Sequence, residues 1–68
     1  MVKKCTVTNK ESKCKYTLNF RLDKTPIEVS VFEYDTEDFV YSSNAQENET
    51  MDDFIKRVKK EVQVHEDL

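Results

Sequence analysis

The segment CKYTLNFRL, residues 14–22, alternates between apolar and polar side chains without a break. A period of two residues is typical of a β-strand with one buried face and one exposed face. The residues that would share the buried face are Cys14, Tyr16, Leu18, Phe20 and Leu22. Any fold of this chain therefore has to pack other elements against one side of this strand.

The next segment fits this strand as a hairpin partner. Residues 23–26 (DKTP) indicate a turn, and a proline is tolerated at the first position of a strand. The register that closes this turn pairs Leu22 with Ile27, Phe20 with Val29, Leu18 with Val31 and, on the other face, Arg21 with Glu28. Because one register satisfies both faces, we predict antiparallel strands near residues 14–22 and 27–34.

An N-terminal strand is expected to extend this hairpin. Val2, Cys5 and Val7 indicate a strand near residues 2–8, and the polar residues 9–12 (NKES) indicate a turn. If Cys5 lies opposite Cys14 or Tyr16, this strand adds its apolar side chains to the same face. A short segment at residues 39–42 is a candidate fourth strand.

The C-terminal part predicts an amphipathic helix near residues 51–63, followed by a tail at 64–68. Thr50 is a good N-cap, and Asp52 and Asp53 fall in the first turn, where the helix dipole favours negative charge. The apolar residues at helical spacing are Met51, Phe54, Ile55, Val58 and Val62. The predicted fold is one small α+β domain over residues 1–68: an antiparallel β-meander of three strands, or four, with the helix packed on its apolar face.

Composition argues against several function classes. The 68 residues include no glycine, so no Gly-rich phosphate-binding loop is expected. Cys5 and Cys14 alone cannot complete a tetrahedral metal site, and His65, the only histidine, lies at the other end of the chain. We therefore expect no metal, no cofactor and no enzymatic activity, since catalysis needs a positioned nucleophile and base.

The same sequence predicts a cytoplasmic protein that does not contact a membrane. The first residues contain no apolar segment of a secretory signal, and nowhere do about 18 apolar residues run together. In a reducing compartment the two cysteines are expected to stay as thiols.

Charge is distributed unevenly along the chain. Residues 1–24 carry seven basic and two acidic side chains, whereas residues 33–53 carry eight acidic side chains and no basic one. A block of like charges repels itself unless basic groups lie beside it. Either the basic N-terminal hairpin neutralises this block within the fold, or the block forms a surface for a basic partner.

The second interpretation concerns residues 32–41, which we call the acidic aromatic segment. Past Val31 the alternation slips, so that either a bulge redirects the chain or Phe32 and Tyr34 are an exposed aromatic pair. In an extended chain, three alternate carboxylates (residues 33, 35 and 37) would line one face about 6.6–6.8 Å apart. The candidate partner-binding residues are Phe32, Glu33, Tyr34, Asp35, Glu37, Asp38, Phe39 and Tyr41. The sequence leaves open whether Phe39 and Tyr41 belong to the core or to an interface.

Three functions are compatible with these features. The first is a small protein–protein interaction module, an adaptor or inhibitor of the kind that phages and mobile elements encode, which binds a basic protein through the acidic aromatic segment. The second is a homo-oligomer that holds a small ligand between subunits. The third is a nucleic-acid binder that uses the basic N-terminal hairpin, although a sequence pI near 5.1 disfavours it.

Overall fold

Four antiparallel strands and one helix make up the computed structural model, which describes residues 1–64. The elements are β1 (Val2–Thr8), β2 (Lys15–Arg21), β3 (Glu28–Glu33), β4 (Phe39–Asn44) and α1 (Met51–Val64). They form one sheet in the order β1-β2-β3-β4. The predicted α+β meander with a C-terminal helix is confirmed, and the fourth strand is present. Val64 of the predicted tail is the last residue of α1, and residues 65–68 lie outside the described part of the chain.

The register of β2 against β3 is the one that the alternation predicts. The opposed pairs include Leu18 with Val31, Phe20 with Val29, and Arg21 with Glu28. Leu22 and Ile27 lie just beyond the ends of these strands and pack against the core. Because apolar residues alternate with polar ones on both strands, this register places all the apolar residues on one face of the hairpin.

Helix α1 covers this apolar face. The core consists of side chains that are at most 4 % exposed: Tyr16, Leu18, Phe20, Val29, Val31, Phe54, Val58 and Val62. The rings of Phe20 and Phe54 meet edge to face with their centroids 5.5 Å apart, which connects the sheet to the first turns of the helix. On the opposite face of the sheet, which we call the outer face, no helix packs among residues 1–64.

Strand β1 adds to the apolar face in a different register from the one considered above. Cys5 lies opposite Leu18, and Val7 lies opposite Tyr16. The register in which Cys5 lies opposite Cys14 or Tyr16 is therefore wrong. The prediction that the Cys14 side chain lies on the buried face is also wrong. The physical reason is that Cys14 belongs to the turn: its carbonyl accepts a hydrogen bond from the Asn9 N–H (2.8 Å), and its side chain is exposed. Both cysteines are free thiols.

Asn9 connects the β1–β2 turn to the C-terminal end of the helix. Its side-chain Oδ1 accepts hydrogen bonds from the backbone N–H groups of Glu11 (2.9 Å) and Ser12 (3.0 Å). Its Nδ2 donates to the carbonyl of Val62 (2.7 Å), one of the helix-end carbonyls that has no partner within the helix. Asn9 is 5 % exposed. This one side chain therefore shapes the turn and caps the helix at the same time.

Replacing Asn9 with alanine is expected to destabilise the protein by about 1–3 kcal/mol, because a buried helix carbonyl loses its donor. Asn9→Asp should be at least as harmful, since it keeps the acceptor for the turn but brings negative charge to the negative end of the helix dipole. Urea unfolding followed by circular dichroism measures both. Lys10→Ala, in the same turn but with an exposed side chain, is the control and should change stability by less than about 0.5 kcal/mol. An Asn9→Ala variant as stable as this control would contradict the role assigned to Asn9.

Candidate partner-binding surface

Three aromatic rings lie on or at the border of the outer face. Phe32 is half-buried, Tyr34 is 49 % exposed and Phe39 is 60 % exposed. The rings of Phe32 and Phe39 meet edge to face with centroids 5.8 Å apart, and Lys15 Nζ lies 4.6 Å from the centroid of the Tyr34 ring. Exposed rings that lie side by side are the kind of surface that interaction sites use, which a single exposed ring does not indicate.

A β-bulge in β4 brings Phe39 to the outer face. Val31 pairs with Tyr41 but Phe32 pairs with Phe39, so that Val40 is an extra residue in β4. Because side chains alternate along a strand, one extra residue reverses the faces of the side chains on one side of it relative to the partner strand. Phe39 consequently lies beside Phe32, whereas Tyr41 lies with Val31 on the helix side. Of the two alternatives that the sequence offered, the structure contains the bulge; Phe32 and Tyr34 are not an exposed pair, because Phe32 is half-buried and the exposed rings are those of Tyr34 and Phe39.

The carboxylates of this region lie on the tight turn between β3 and β4. Residues 34–36 form a turn, and Glu37 has a φ of 62° in the left-handed region. The Glu37 N–H donates to the Glu33 carbonyl (2.8 Å), and the Asp38 N–H donates to Thr36 Oγ1 (3.3 Å). The expected straight row of carboxylates at residues 33, 35 and 37 is therefore wrong, because the chain curls instead of continuing as a strand. The turn presents Asp35, Glu37 and Asp38 as exposed side chains.

These carboxylates are not neutralised by direct ion pairs. Within residues 1–64, the carboxylates that form ion pairs are those of Asp23, Glu28, Glu49 and Glu61. The basic hairpin does lie close, since Lys13 and Lys15 border a small concavity together with Glu33 and Asp35. Lys15, however, contacts the ring of Tyr34. The basic hairpin thus approaches the acidic turn without pairing with it.

A larger concavity lies on the outer face next to the turn. It has a volume of about 540 Å³ and is lined by Lys4, Thr17, Asn19, Phe32, Glu33, Tyr34 and Glu37. Lys4 and Asn19 are directly opposite each other on β1 and β2. The side-chain Oδ1 of Asn19 is buried and accepts no hydrogen bond from any described residue. A buried acceptor without a donor costs about 1–3 kcal/mol.

Tyr41 is separated from the other candidate residues. It packs against the core, and its hydroxyl donates a hydrogen bond to Glu61 Oε1 on the helix (3.2 Å). Burial, together with the charge of Glu61 and this hydrogen bond, raises the pKa of Tyr41 to about 12. The structure therefore groups seven of the eight candidate residues at one corner of the sheet and places Tyr41 on the helix side.

Glu49, another residue of the acidic block, is bound by a helix side chain and is not available as a free carboxylate. Arg57 on the helix donates to it through Nε (2.8 Å) and Nη2 (3.0 Å), and Nη1 of Arg57 donates to Glu61 (3.1 Å). Hydrogen bonds from Arg57 lower the pKa of the Glu49 carboxyl. Of the eight acidic residues, Glu49 thus holds the helix, whereas Asp35, Glu37 and Asp38 are exposed on the β3–β4 turn.

Sequence reasoning missed Lys4 and Asn19 as members of this surface. Both occupy polar positions of alternating strands, and in the sequence they looked like ordinary solvated residues. The available signal was the face assignment of β2, which already put Asn19 on the same side as Arg21 and Thr17. What was missing was the register of β1, which brings Lys4 opposite Asn19.

Neither a protein-family model nor a curated protein sequence nor a solved structure matches this chain. In the part of the chain from residue 1 to residue 64, no helix is both long and apolar enough to cross a bilayer. The same residues contain no group of three or more His, Cys, Asp or Glu side chains arranged to hold a metal ion. The chemistry of the outer face is therefore the basis for assigning a function.

The raised pKa of Tyr41 predicts a pH-dependent contribution to stability. The phenol holds its proton more tightly in the folded state than in the unfolded state, so its contribution is complete below pH 10 and is lost as the pH rises toward about 12. Tyr41→Phe should be less stable than the wild type below pH 10, and this difference should shrink over that range. Urea unfolding at a series of pH values measures it, with Tyr34→Phe as the control because that ring is exposed. A difference that stays constant from pH 10 upward would contradict the assignment.

The exposure of Tyr34 and Phe39 predicts that both rings can be removed without unfolding the protein. Tyr34→Ala combined with Phe39→Ala should cost no more than about 1–2 kcal/mol, chiefly through the lost contact with Phe32. Phe54→Ala, in which the deleted ring is fully buried, is the comparison and should cost about 3–5 kcal/mol. Thermal and urea unfolding measure both variants. A double variant as unstable as Phe54→Ala would show that these rings are part of the core.

Proposed function

We propose that this chain is a small protein–protein interaction module, an adaptor or inhibitor, that binds a basic partner through the acidic aromatic segment. The observation that supports it is the corner of the outer face where the exposed rings of Tyr34 and Phe39 lie beside carboxylates that form no ion pair with any residue from 1 to 64. Two free thiols, Cys5 and Cys14, fit a protein that acts in the reducing cytoplasm.

Aromatic rings and carboxylates have different roles at such a surface. Large rings bury apolar area at the centre of an interface and supply most of the affinity. Carboxylates on the β3–β4 turn attract a basic surface over a longer range and raise the association rate more than the affinity. The packing of Phe39 on Phe32 fixes the ring before the partner arrives, so that little conformational entropy is lost on binding.

Self-association through the same face is the second candidate function. The outer corner carries Lys4 and Lys15 as well as Glu33 and Glu37, so two copies related by a two-fold axis can place opposite charges against each other. In such a dimer, a small ligand could be held between the two subunits. Sedimentation velocity over a range of protein concentrations distinguishes it from the first candidate.

Nucleic-acid binding is less well supported by the geometry. Phe32 lies on the outer face with Lys4, Lys15 and Arg21. An aromatic ring among basic side chains is the combination that proteins use to bind single-stranded nucleic acids. Glu33 and Glu37, however, border the same concavity as Lys4. Carboxylates there would repel the phosphates that a nucleic acid brings to the surface.

Removing charge from the β3–β4 turn is expected to weaken partner capture. The test is affinity capture from a bacterial lysate at low and high salt, with bound proteins identified by mass spectrometry. Wild type should retain a basic protein, less strongly at high salt, and Glu37→Gln combined with Asp38→Asn should retain less of it at low salt, because the exposed rings remain but the charges that attract the partner are gone. The matched control is Glu47→Gln combined with Asp52→Asn, which removes the same charge from exposed carboxylates in the β4–α1 connection and the helix start. Equal capture by both double variants, or capture of nothing basic, would contradict the proposal.

A further inference from the structure

The outer-face concavity combines three features that rarely occur together on a solvated surface. Its rim carries the aromatic rings of Phe32 and Tyr34, and its border carries the carboxylates of Glu33 and Glu37. The third feature is the buried Oδ1 of Asn19, an acceptor that receives no hydrogen bond from residues 1–64. Its volume of about 540 Å³ is in the range of cavities that hold a side chain or a small ligand.

Each of these three features favours a different property in a ligand. The rings favour a flat group or a cation over their faces. The carboxylates favour a positive charge, and the Asn19 acceptor favours an N–H donor. A guanidinium group is planar, is always charged and has five N–H donors in a fixed arrangement, so it meets all three requirements at once.

We propose that this concavity receives an arginine side chain of the partner, with its guanidinium against the rings and its N–H groups directed to Glu37 and Asn19. This inference rests on the proposed function, because it specifies which basic side chain the surface recognises. Because the Asn19 Oδ1 is buried, this contact requires a neighbouring side chain to move, and we infer that it is Lys4, which is exposed, lies opposite Asn19 and lines the same concavity.

Lysine meets the same requirements less well. Its ammonium group is compact and strongly hydrated, and it has no flat face to lie against an aromatic ring. An ammonium held by Glu37 would also have to reach the buried Asn19 acceptor with the same three donors. The surface is therefore expected to prefer arginine to lysine at equal charge.

The test compares two blocked peptides, Gly-Ser-Arg-Ser-Gly and Gly-Ser-Lys-Ser-Gly, titrated into the full chain and followed by two-dimensional NMR. The arginine peptide should bind about tenfold more tightly, the difference expected from one additional hydrogen bond to a charged group. Its largest shifts should fall on the Asn19 side-chain amide and on the backbone of Phe32 and Tyr34.

Two variants separate the Asn19 contact from a general electrostatic effect. Asn19→Leu removes the acceptor with little change in shape and should reduce arginine-peptide affinity about tenfold, with little effect on the lysine peptide. Asn44→Leu makes the same change on the outer face at the far end of β4 and should leave both affinities unchanged. Urea unfolding confirms that each variant is folded before its affinity is compared.

The outcomes distinguish this inference from the proposed function. Equal affinity for both peptides, reduced by Glu37→Gln, would overturn the preference for arginine but agree with a surface for basic partners. The arginine site would be overturned if the Asn19 side-chain amide did not shift on titration, or if neither peptide bound. The capture experiment with the turn variants tests the proposed function independently. Tighter binding of the arginine peptide that is lost in Asn19→Leu and kept in Asn44→Leu supports the inference.

Discussion

A single helix can cover only one face of a four-stranded sheet, and this limit determines where the remaining side chains of the protein go. Helix α1 packs on the apolar face through Phe54, Val58 and Val62, all of which are fully buried. A core of this size provides only a few kcal/mol of net stability. The contacts that hold the helix in place are therefore as important as the apolar area that it buries, and within the described part of the chain the outer face carries no helix.

Polar contacts fix the helix at its middle and at its C-terminal end, and they also protect the edges of the sheet. In the middle of the helix, Arg57 Nη2 donates to the carbonyl of Asn44 on the edge strand β4 (2.9 Å). At its end, Gln63 Nε2 donates to the carbonyl of Thr8 on the other edge strand, β1 (2.7 Å). Unpaired edge groups invite pairing with other chains. The same two helix side chains therefore position the helix and occupy an acceptor on each edge.

The sequence predicts the parts of this fold that are encoded by local periodicity. The β2–β3 register follows from this periodicity because the apolar face and the polar face both predict the same pairing. The helix follows from the spacing of its apolar residues and from Thr50 as its N-cap. The role of Asn9 could not be predicted, because its amide donates to Val62, which is 53 residues away in the chain. In the sequence, an asparagine within a polar cluster is equally compatible with an ordinary turn residue that makes no contact with the helix.

The bulge at Val40 explains why the candidate site could be predicted only in part. Valine is compatible with either face of a strand, so the sequence gives no sign that it is the extra residue, and the faces of Phe39 and Tyr41 stay undecided without it. In the structure this one residue sends Phe39 to the outer face and Tyr41 to the helix, where its hydroxyl reaches Glu61. Strand β4 thereby contributes to the stability of the helix and to the exposed aromatic surface. Because the helix contact holds β4 in place, the ring of Phe39 stands on a fixed strand rather than on a loop, which favours a surface that is already organised for its partner.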